Sequence, residues 1–160
     1  MAKKPFLTDI KTLRARARQH IQDGAVTRSY KADRKTVLKL LNEALATEIV
    51  CVLLLLVGMR EEQQHADQIA GRIVQLNGEP NFSPEGLLSR SHAEYVEGET
   101  LVDMIKEDLV AERIAIDSYR EMIEYIGDKD TTTSRMLEGI LAMEEEHADD
   151  LVGMLEELDH

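Results

Sequence analysis

The sequence has a single cysteine, no tryptophan and three prolines, and aromatic residues make up only 4% of its 160 residues. One thiol, Cys51, cannot close an internal disulfide, and it excludes a metal cage built from several cysteines of this chain. The longest apolar run, residues 49–59, is too short to cross a bilayer, which needs about 20 residues. No apolar leader follows residues 1–5, so we expect a soluble cytoplasmic protein without a membrane partner.

Charge is divided unevenly along the chain, whose net charge is −12. Residues 1–40 carry 11 Lys and Arg against three Asp, a local charge of +8, whereas residues 41–160 carry −20. This balance excludes a uniformly basic nucleic-acid binder but leaves a local basic arm open. We therefore divide the chain into a basic N-terminal arm, residues 1–34, and a body, residues 35–160.

Helix start and stop signals are frequent in this sequence, and strand signals are nearly absent. Asp33 is expected to cap a long helix, Thr100 and Asp103 have the spacing of a capping box, and Gly127 is expected to end the helix that follows them. A last helix comes after a polar turn predicted at residues 128–133. The prediction is an all-α protein with a short basic N-terminal helix followed by an up-and-down four-helix bundle.

Each of the four long helical patterns carries a carboxylate within its apolar seam. Residues spaced three and four apart share one face of a helix, and this face is otherwise largely apolar in all four patterns. The polar seam residues singled out as metal ligands are Glu48, Glu62, His65, Glu112, Glu144 and His147. Each histidine follows a glutamate by three residues, within two copies of Glu-x-x-His-Ala-Asp. Asp108 also falls in a seam, and we expect it to pair with an arginine.

Carboxylates at such positions need a compensating charge. An ionised carboxylate in an apolar interior costs several kcal/mol without a partner, and four facing one another also repel. A pair of metal ions removes both penalties, and Glu-x-x-His can serve one ion because residues i and i+3 lie about 60° apart on a helix. Two such helices, with two further helices giving one Glu each, form the ligand set of di-iron and di-manganese carboxylate bundles. A single Glu-x-x-His is common on solvated faces, so the prediction depends on the repeat.

With these motifs the chain resembles the ferritin-like superfamily, specifically bacterioferritins and Dps-like ferritins, over about residues 35–158. The resemblance implies a four-helix bundle with a long crossover, and a dinuclear iron centre. In that family the centre oxidises Fe(II) with O2 or H2O2, and a hollow homo-oligomer stores the product. By this resemblance, the bridging carboxylates would be Glu62 and Glu144, and the terminal carboxylates would be Glu48 and Glu112. His65 and His147 would each bind one iron. These six residues are therefore the expected ferroxidase site.

Two departures from the family pattern refine this expectation. Bacterioferritins place a haem-binding methionine directly after the first bridging glutamate, and this chain has Gln63 there, so no haem is expected. Only 13 residues follow His147, which leaves little room for the fifth helix of 24-subunit cages and favours a 12-subunit oligomer. The sequence does not distinguish iron from manganese as the bound metal. It also does not distinguish a ferroxidase from a manganese catalase or a small oxygenase. A rubrerythrin-like peroxidase usually carries a four-cysteine module, which a single cysteine excludes.

A second hypothesis assigns the basic arm to DNA. The arm would contact phosphates, as in a Dps-like protective protein, and the ferroxidase site would be weakened or absent. The alternative is that the arm docks on the acidic body or on a neighbouring subunit.

The ligand spacing within the two predicted helix pairs is unequal. Glu112 and Glu144 are 32 residues apart, which allows a helix to end, turn and return, whereas Glu48 and Glu62 are 14 apart. On one continuous helix the latter two would lie roughly 21 Å apart, out of reach of one binuclear site. We therefore expect a shortened first pair. One explanation is that this sequence lacks a segment of roughly 18 residues, the difference between the two spacings, which the real molecule contains. The other is that the first pair is truly short and that Glu112, Glu144 and His147 remain as a half-site.

Overall fold

The fold is helical throughout in the computed structural model, which describes residues 8–54, 59–94, 96 and 98–158. The α-helices of these ranges are α1 (Ile10–Gln19), α2 (Arg34–Leu54), α3 (Met59–Gln75), α4 (Leu87–Arg90), α5 (Leu101–Ile126) and α6 (Thr131–Leu158). One turn of 3-10 helix, Gly127–Asp130, joins α5 to α6. Among the residues described, no helix combines the length and the apolar character needed to cross a membrane.

Capping residues set the helix boundaries as the sequence predicts. Asp33 accepts a hydrogen bond from the amide of Lys35, just inside α2. Thr100 and Asp103 form the reciprocal capping box at the start of α5. Gly127 follows the last residue of α5 with a φ of 51°, a conformation that glycine adopts without steric cost.

The polar turn between the last two helices is shorter than predicted. The sequence predicts a turn over residues 128–133, but α6 already begins at Thr131. The reason is the side chain of Asp130, which accepts a hydrogen bond from the amide of Thr133 at 3.0 Å and so satisfies the first turn of α6. An aspartate at this position initiates the helix and does not prolong the turn.

Helices α2, α3, α5 and α6 form the predicted bundle. α2 packs along α3, and α5 packs along α6. Gly78, just beyond α3, lies against Leu38 near the start of α2, so this first pair is antiparallel. The described residues between α3 and α5, which include α4, connect this pair to the second. All four helices contribute to the main core, whose fully buried aliphatic residues include Leu41, Leu45, Ile69, Ile73, Leu76, Ile126, Leu137 and Ile140.

A buried polar network holds one end of the bundle together. The guanidinium of Arg72, on α3, donates to both carboxylate oxygens of Asp130, at 2.8 and 3.0 Å, and to the hydroxyl of Thr133 at 2.8 Å. Tyr30, in the segment before α2, donates to the same carboxylate at 2.9 Å. The network fixes the end of α3 against the start of α6. It therefore sets the register in which the two Glu-x-x-His motifs of these helices face each other.

The two helix pairs differ in length at the opposite end of the bundle. α2 ends six residues after Glu48 and α3 begins three residues before Glu62. In contrast, α5 begins eleven residues before Glu112, and α6 continues for fourteen residues after Glu144. At 1.5 Å per residue, the α2–α3 pair extends roughly 5–9 Å beyond its glutamates and the α5–α6 pair roughly 16–21 Å. The first pair is thus shortened at one end only.

The expectation that Glu48 and Glu62 cannot reach one centre is wrong. It assumes a continuous helix, whereas α2 ends at Leu54 and α3 starts at Met59 and runs back along α2. Both glutamates lie close to this reversal, so 14 residues suffice and no further segment is needed for them to meet. Gly58, the one expected break in the apolar run, lies outside the described residues.

Candidate metal centre

The structure brings all six residues singled out in the sequence to one place in the bundle. α2 supplies one of them, α3 two, α5 one and α6 two, in the order Glu48, Glu62, His65, Glu112, Glu144 and His147. The four glutamates are each 1% exposed, and His65 is 4% exposed. His147 is the most accessible, with 16% of its side chain exposed. The half-site that the sequence left open is therefore wrong, because the first helix pair contributes its full set of side chains.

The candidate ligand atoms fall into two overlapping groups. One consists of Glu48, Glu62, His65 and Glu144, and the other of Glu62, Glu112, Glu144 and His147. Within each group, one oxygen or nitrogen from every member lies within 4.8 Å of the others. Bonds of roughly 2.0–2.3 Å around one ion would span similar distances. Glu62 and Glu144 belong to both groups, as two carboxylates bridging adjacent ions would.

The two imidazoles face different carboxylates. Nδ1 of His65 lies 2.9 Å from Glu144 and 3.5 Å from Glu48. Nδ1 of His147 lies 3.2 Å from Glu62 and 3.4 Å from Glu144. Despite these distances, neither nitrogen has a hydrogen-bond partner of acceptable geometry among the described residues. The two ring centroids are 6.3 Å apart.

Many polar atoms of this centre are buried without a hydrogen-bond partner. In the described part of the chain they include both oxygens of Glu112 and of Glu144, one oxygen each of Glu48 and Glu62, and Nδ1 of His65 and His147. Each such atom costs about 1–3 kcal/mol when it is left unsatisfied. Cations placed between these atoms would satisfy all of them together, so the donor set fits a metal pair on structural grounds.

The buried members of this centre shift one another's pKa values. Burial raises the pKa of Glu48, and it raises that of Glu112 to about 8. Burial acts in the same direction on Glu144, but the imidazoles of His147 and His65 lower its pKa to about 2. Burial lowers the pKa of His65, yet the carboxylates of Glu144 and Glu48 raise it to about 10. Glu112 and Glu144 raise the pKa of His147 to about 12. The centre therefore holds protons at neutral pH that an incoming metal ion must displace.

Tyr119 is a neighbour of the centre that sequence reasoning missed. Its side chain is 1% exposed, and its hydroxyl donates to Oε1 of Glu48. This bond leaves Oε2 of Glu48 directed at the other ligand atoms, without a partner of its own. Tyr119 falls in the same apolar seam as Glu112, so its spacing indicates only a core residue. Its hydroxyl was the available signal, because a buried tyrosine hydroxyl needs a hydrogen-bond partner.

Asp108 does not pair with an arginine, so that expectation is wrong. In the part of the chain that the structure describes, the arginine ion pairs join Arg72 to Asp130 and Arg120 to Asp117 and Glu145. Asp108 is 4% exposed, and burial raises its pKa to about 6. Its side chain lines a cavity on the side of the bundle opposite the Arg72–Asp130 network, and no arginine lines this cavity.

Comparison with known proteins agrees with this fold and this donor set. A family model described as a ferritin-like domain matches residues 53–160. The chain therefore belongs to the ferritin-like family, as the resemblance in its motifs predicts. Glu48 precedes the matched region, so the family model does not bear on its place in the centre.

The individual relatives include bacterioferritins, and the chain spans a little over half the length of those it matches. The bacterioferritin of Mycobacterium bovis is 36% identical over 100 residues, which are 62% of this chain but only 58% of that protein. The bacterioferritin-related protein of Bacteroides fragilis, described as a dodecameric thioferritin, is 29% identical, with a TM-score of 0.76 over 81% of this chain and 89% of that one. Dps from Thermosynechococcus elongatus is 18% identical, with a TM-score of 0.65 over 76% of this chain and 90% of its own, which indicates a shared fold alone.

Proposed function

We propose that this protein oxidises Fe(II) to Fe(III) at the six-residue centre and stores the product within a homo-oligomer. One observation carries the proposal, namely that two groups of ligand atoms share Glu62 and Glu144. Two glutamates common to both groups are what a dinuclear site needs and what a single-ion site does not. The bacterioferritin relatives support iron as the metal, and the charge of −20 on residues 41–160 favours cation attraction.

The reaction would use Fe(II) as substrate. Carboxylate oxygen and imidazole nitrogen suit iron, which each group of ligands would bind as one ion. Two Fe(II) ions give up two electrons, and with two protons these reduce O2 to H2O2, or H2O2 to two water molecules. The buried centre keeps other solutes away, while Tyr119 orients the Glu48 carboxylate by its hydrogen bond. Protons held at Glu112 and the two imidazoles leave as the ions bind.

Aerobic addition of Fe(II) to the metal-free protein tests this proposal. Ferric absorbance should rise rapidly with the native chain and slow to near the buffer rate with Glu62→Gln/Glu144→Gln, which weakens both groups at once. The matched control is Asp67→Asn/Glu146→Gln, which removes two exposed carboxylates from the same two helices. Equal rates in the native chain and the Glu62/Glu144 variant would refute the site assignment. Metal analysis of protein purified from its source separates iron from manganese and shows whether haem, which we propose to be absent, is present.

We also propose a homo-oligomer of twelve subunits. The support is the similarity to the Bacteroides fragilis protein, which is described as dodecameric. Native mass spectrometry of the whole protein should give the mass of twelve chains. A mass of twenty-four chains would contradict the proposal.

DNA association is a second candidate function, and the exposure of α1 favours it. Every residue of α1 is exposed, the helix contacts no other helix of the described chain, and it carries Lys11, Arg14, Arg16 and Arg18. A gel shift should weaken with salt and should be lost in Arg14→Gln/Arg16→Gln/Arg18→Gln. The control, Arg113→Gln, removes an exposed charge from the bundle. No shift of the native chain at low salt would remove this function.

A further inference from the structure

A cavity of about 370 Å³ lies at the end of the bundle where the α5–α6 pair extends beyond the α2–α3 pair. Its walls come from α5 and α6, and five of the seven lining side chains are apolar. The other two are the carboxylates of Asp108 and Glu157. Glu157 is exposed and Asp108 is buried. The two carboxylates thus lie at different depths, one accessible to solvent and one inside.

This cavity is adjacent to the metal centre. Asp108 precedes Glu112 by four residues on α5, and Leu151 follows His147 by four residues on α6, so the cavity begins one helical turn beyond the second ligand group. Residues four apart on one helix face have Cβ atoms about 5–6 Å apart. His147, in the group with Glu112, is the most accessible of the six residues, with 16% of its side chain exposed against 5% for His65.

Asp108 has no structural partner that explains a carboxylate at its position. It is 4% exposed, yet in the described ranges it takes part in no ion pair and no side-chain hydrogen bond. Its oxygens are not among the fully enclosed, unpartnered atoms of the described residues, so the carboxylate reaches the cavity that it lines. An aliphatic residue would still pack better in this seam. A hydrated divalent cation passing through the cavity would be a partner of the right charge.

We propose that Asp108 is a transit site through which Fe(II) reaches the six-residue centre. The inference rests on the proposed function in taking Fe(II) as the cargo. Carboxylate oxygen is a hard donor that binds a divalent cation while the ion keeps most of its water. A lone carboxylate among apolar walls binds weakly, so the ion moves on to Glu112 and His147, where a full ligand set removes its water. Glu157 would attract the ion at the solvent side.

Stopped-flow binding of Co(II) to the metal-free whole protein tests the route. Co(II) is a non-oxidising probe with visible absorbance in carboxylate and imidazole sites. Asp108→Asn, with Asp108→Ala as a second variant, should slow Co(II) binding roughly tenfold or more. The final absorbance and the Co(II) bound per subunit should not change. The matched control is Asp117→Asn, the same substitution on the same helix at a side chain that is 78% exposed, and it should bind at the native rate.

Three results would overturn the inference, and they are separable from one another. Native binding rates in both Asp108 variants would exclude the route. Slow binding with a reduced final amount of Co(II) would assign Asp108 to the stability of the centre and not to transit. Absence of Co(II) binding by the native chain would remove the proposed centre together with its entry route, and this failure is visible before any variant is measured.

Discussion

Replacement of Asp130 by alanine is expected to destabilise the protein more strongly than any single change outside the metal centre. Arg72 is 7% exposed, and its Nη2 donates to both carboxylate oxygens of Asp130. Removal of the carboxylate leaves a buried guanidinium with neutral partners only, Thr133 and Gln75. Breaking a buried ion pair in this way costs about 3–5 kcal/mol. Loss of the cap at the start of α6 adds about 1 kcal/mol.

Together these terms amount to about 4–6 kcal/mol, which corresponds to a fall in Tm of roughly 10–20 °C for a chain of this size. The loss should also depend on pH. Burial opposes ionisation of Asp130, but hydrogen bonds from Thr133 and Tyr30 and the charge of Arg72 lower its pKa below 3.8. The stabilisation is therefore complete above the ordinary aspartate pKa, and it is lost as the pH falls through the lower pKa of the folded state.

Thermal unfolding of the metal-free proteins, followed by circular dichroism, measures this effect. The control is Asp128→Ala, an exposed aspartate in the same 3-10 turn, which should keep the native Tm within about 2 °C. Arg72→Met combined with Asp130→Ala should recover much of the loss, because an apolar pair of similar volume replaces a buried ion pair at little cost. A Tm for Asp130→Ala equal to that of the control would refute the reasoning.

Three further predictions concern the centre and its surroundings. Asp108→Asn should stabilise the protein at pH 7 by about 1–3 kcal/mol but should have no such effect at pH 4. Burial raises the pKa of Asp108 to about 6 in the folded chain, so ionisation of this carboxyl destabilises the fold as the pH rises from about 4 to 6. Urea unfolding at both pH values measures the difference. Tyr119→Phe should weaken metal binding about tenfold at the group that includes Glu48 and His65, because the Glu48 carboxylate loses its hydrogen bond from Tyr119. A Zn(II) titration would detect one weakened and one unchanged site. Glu112 belongs to one group of candidate ligands, so Glu112→Gln should still bind one Co(II) per subunit, whereas Glu62→Gln, which affects both groups, should bind fewer than one. Native mass spectrometry counts the bound ions. An equal loss of Co(II) in the two variants would contradict shared ligation by Glu62.

The cluster of six candidate ligands was predictable from the sequence because polar residues in an apolar seam are conspicuous. Glu62-x-x-His65 and Glu144-x-x-His147 each place two ligands on one helix face, and that periodicity survives folding. The helix caps at Asp33 and Thr100 are equally local, since a side chain within three residues makes the hydrogen bond.

The reversal between α2 and α3 was not predictable in the same way. Residues 52–57 are all apolar, so they show neither the helical period nor the turn residues that mark a chain reversal. In such a run, one long buried helix and the end of a helix before its antiparallel partner have the same sequence pattern. The partners of Asp108 and Tyr119 were also beyond local reasoning, because they depend on which side chains the other helices bring opposite.

Anomalous diffraction at the iron absorption edge, from crystals of the Fe(II)-loaded protein, tests the dinuclear centre most directly. We predict two peaks in each subunit, roughly 3.5–4 Å apart. One should lie among the group that includes Glu48 and His65 and the other among the group that includes Glu112 and His147, with Glu62 and Glu144 in contact with both. A single peak, or two peaks that share neither of these glutamates, would contradict the assignment.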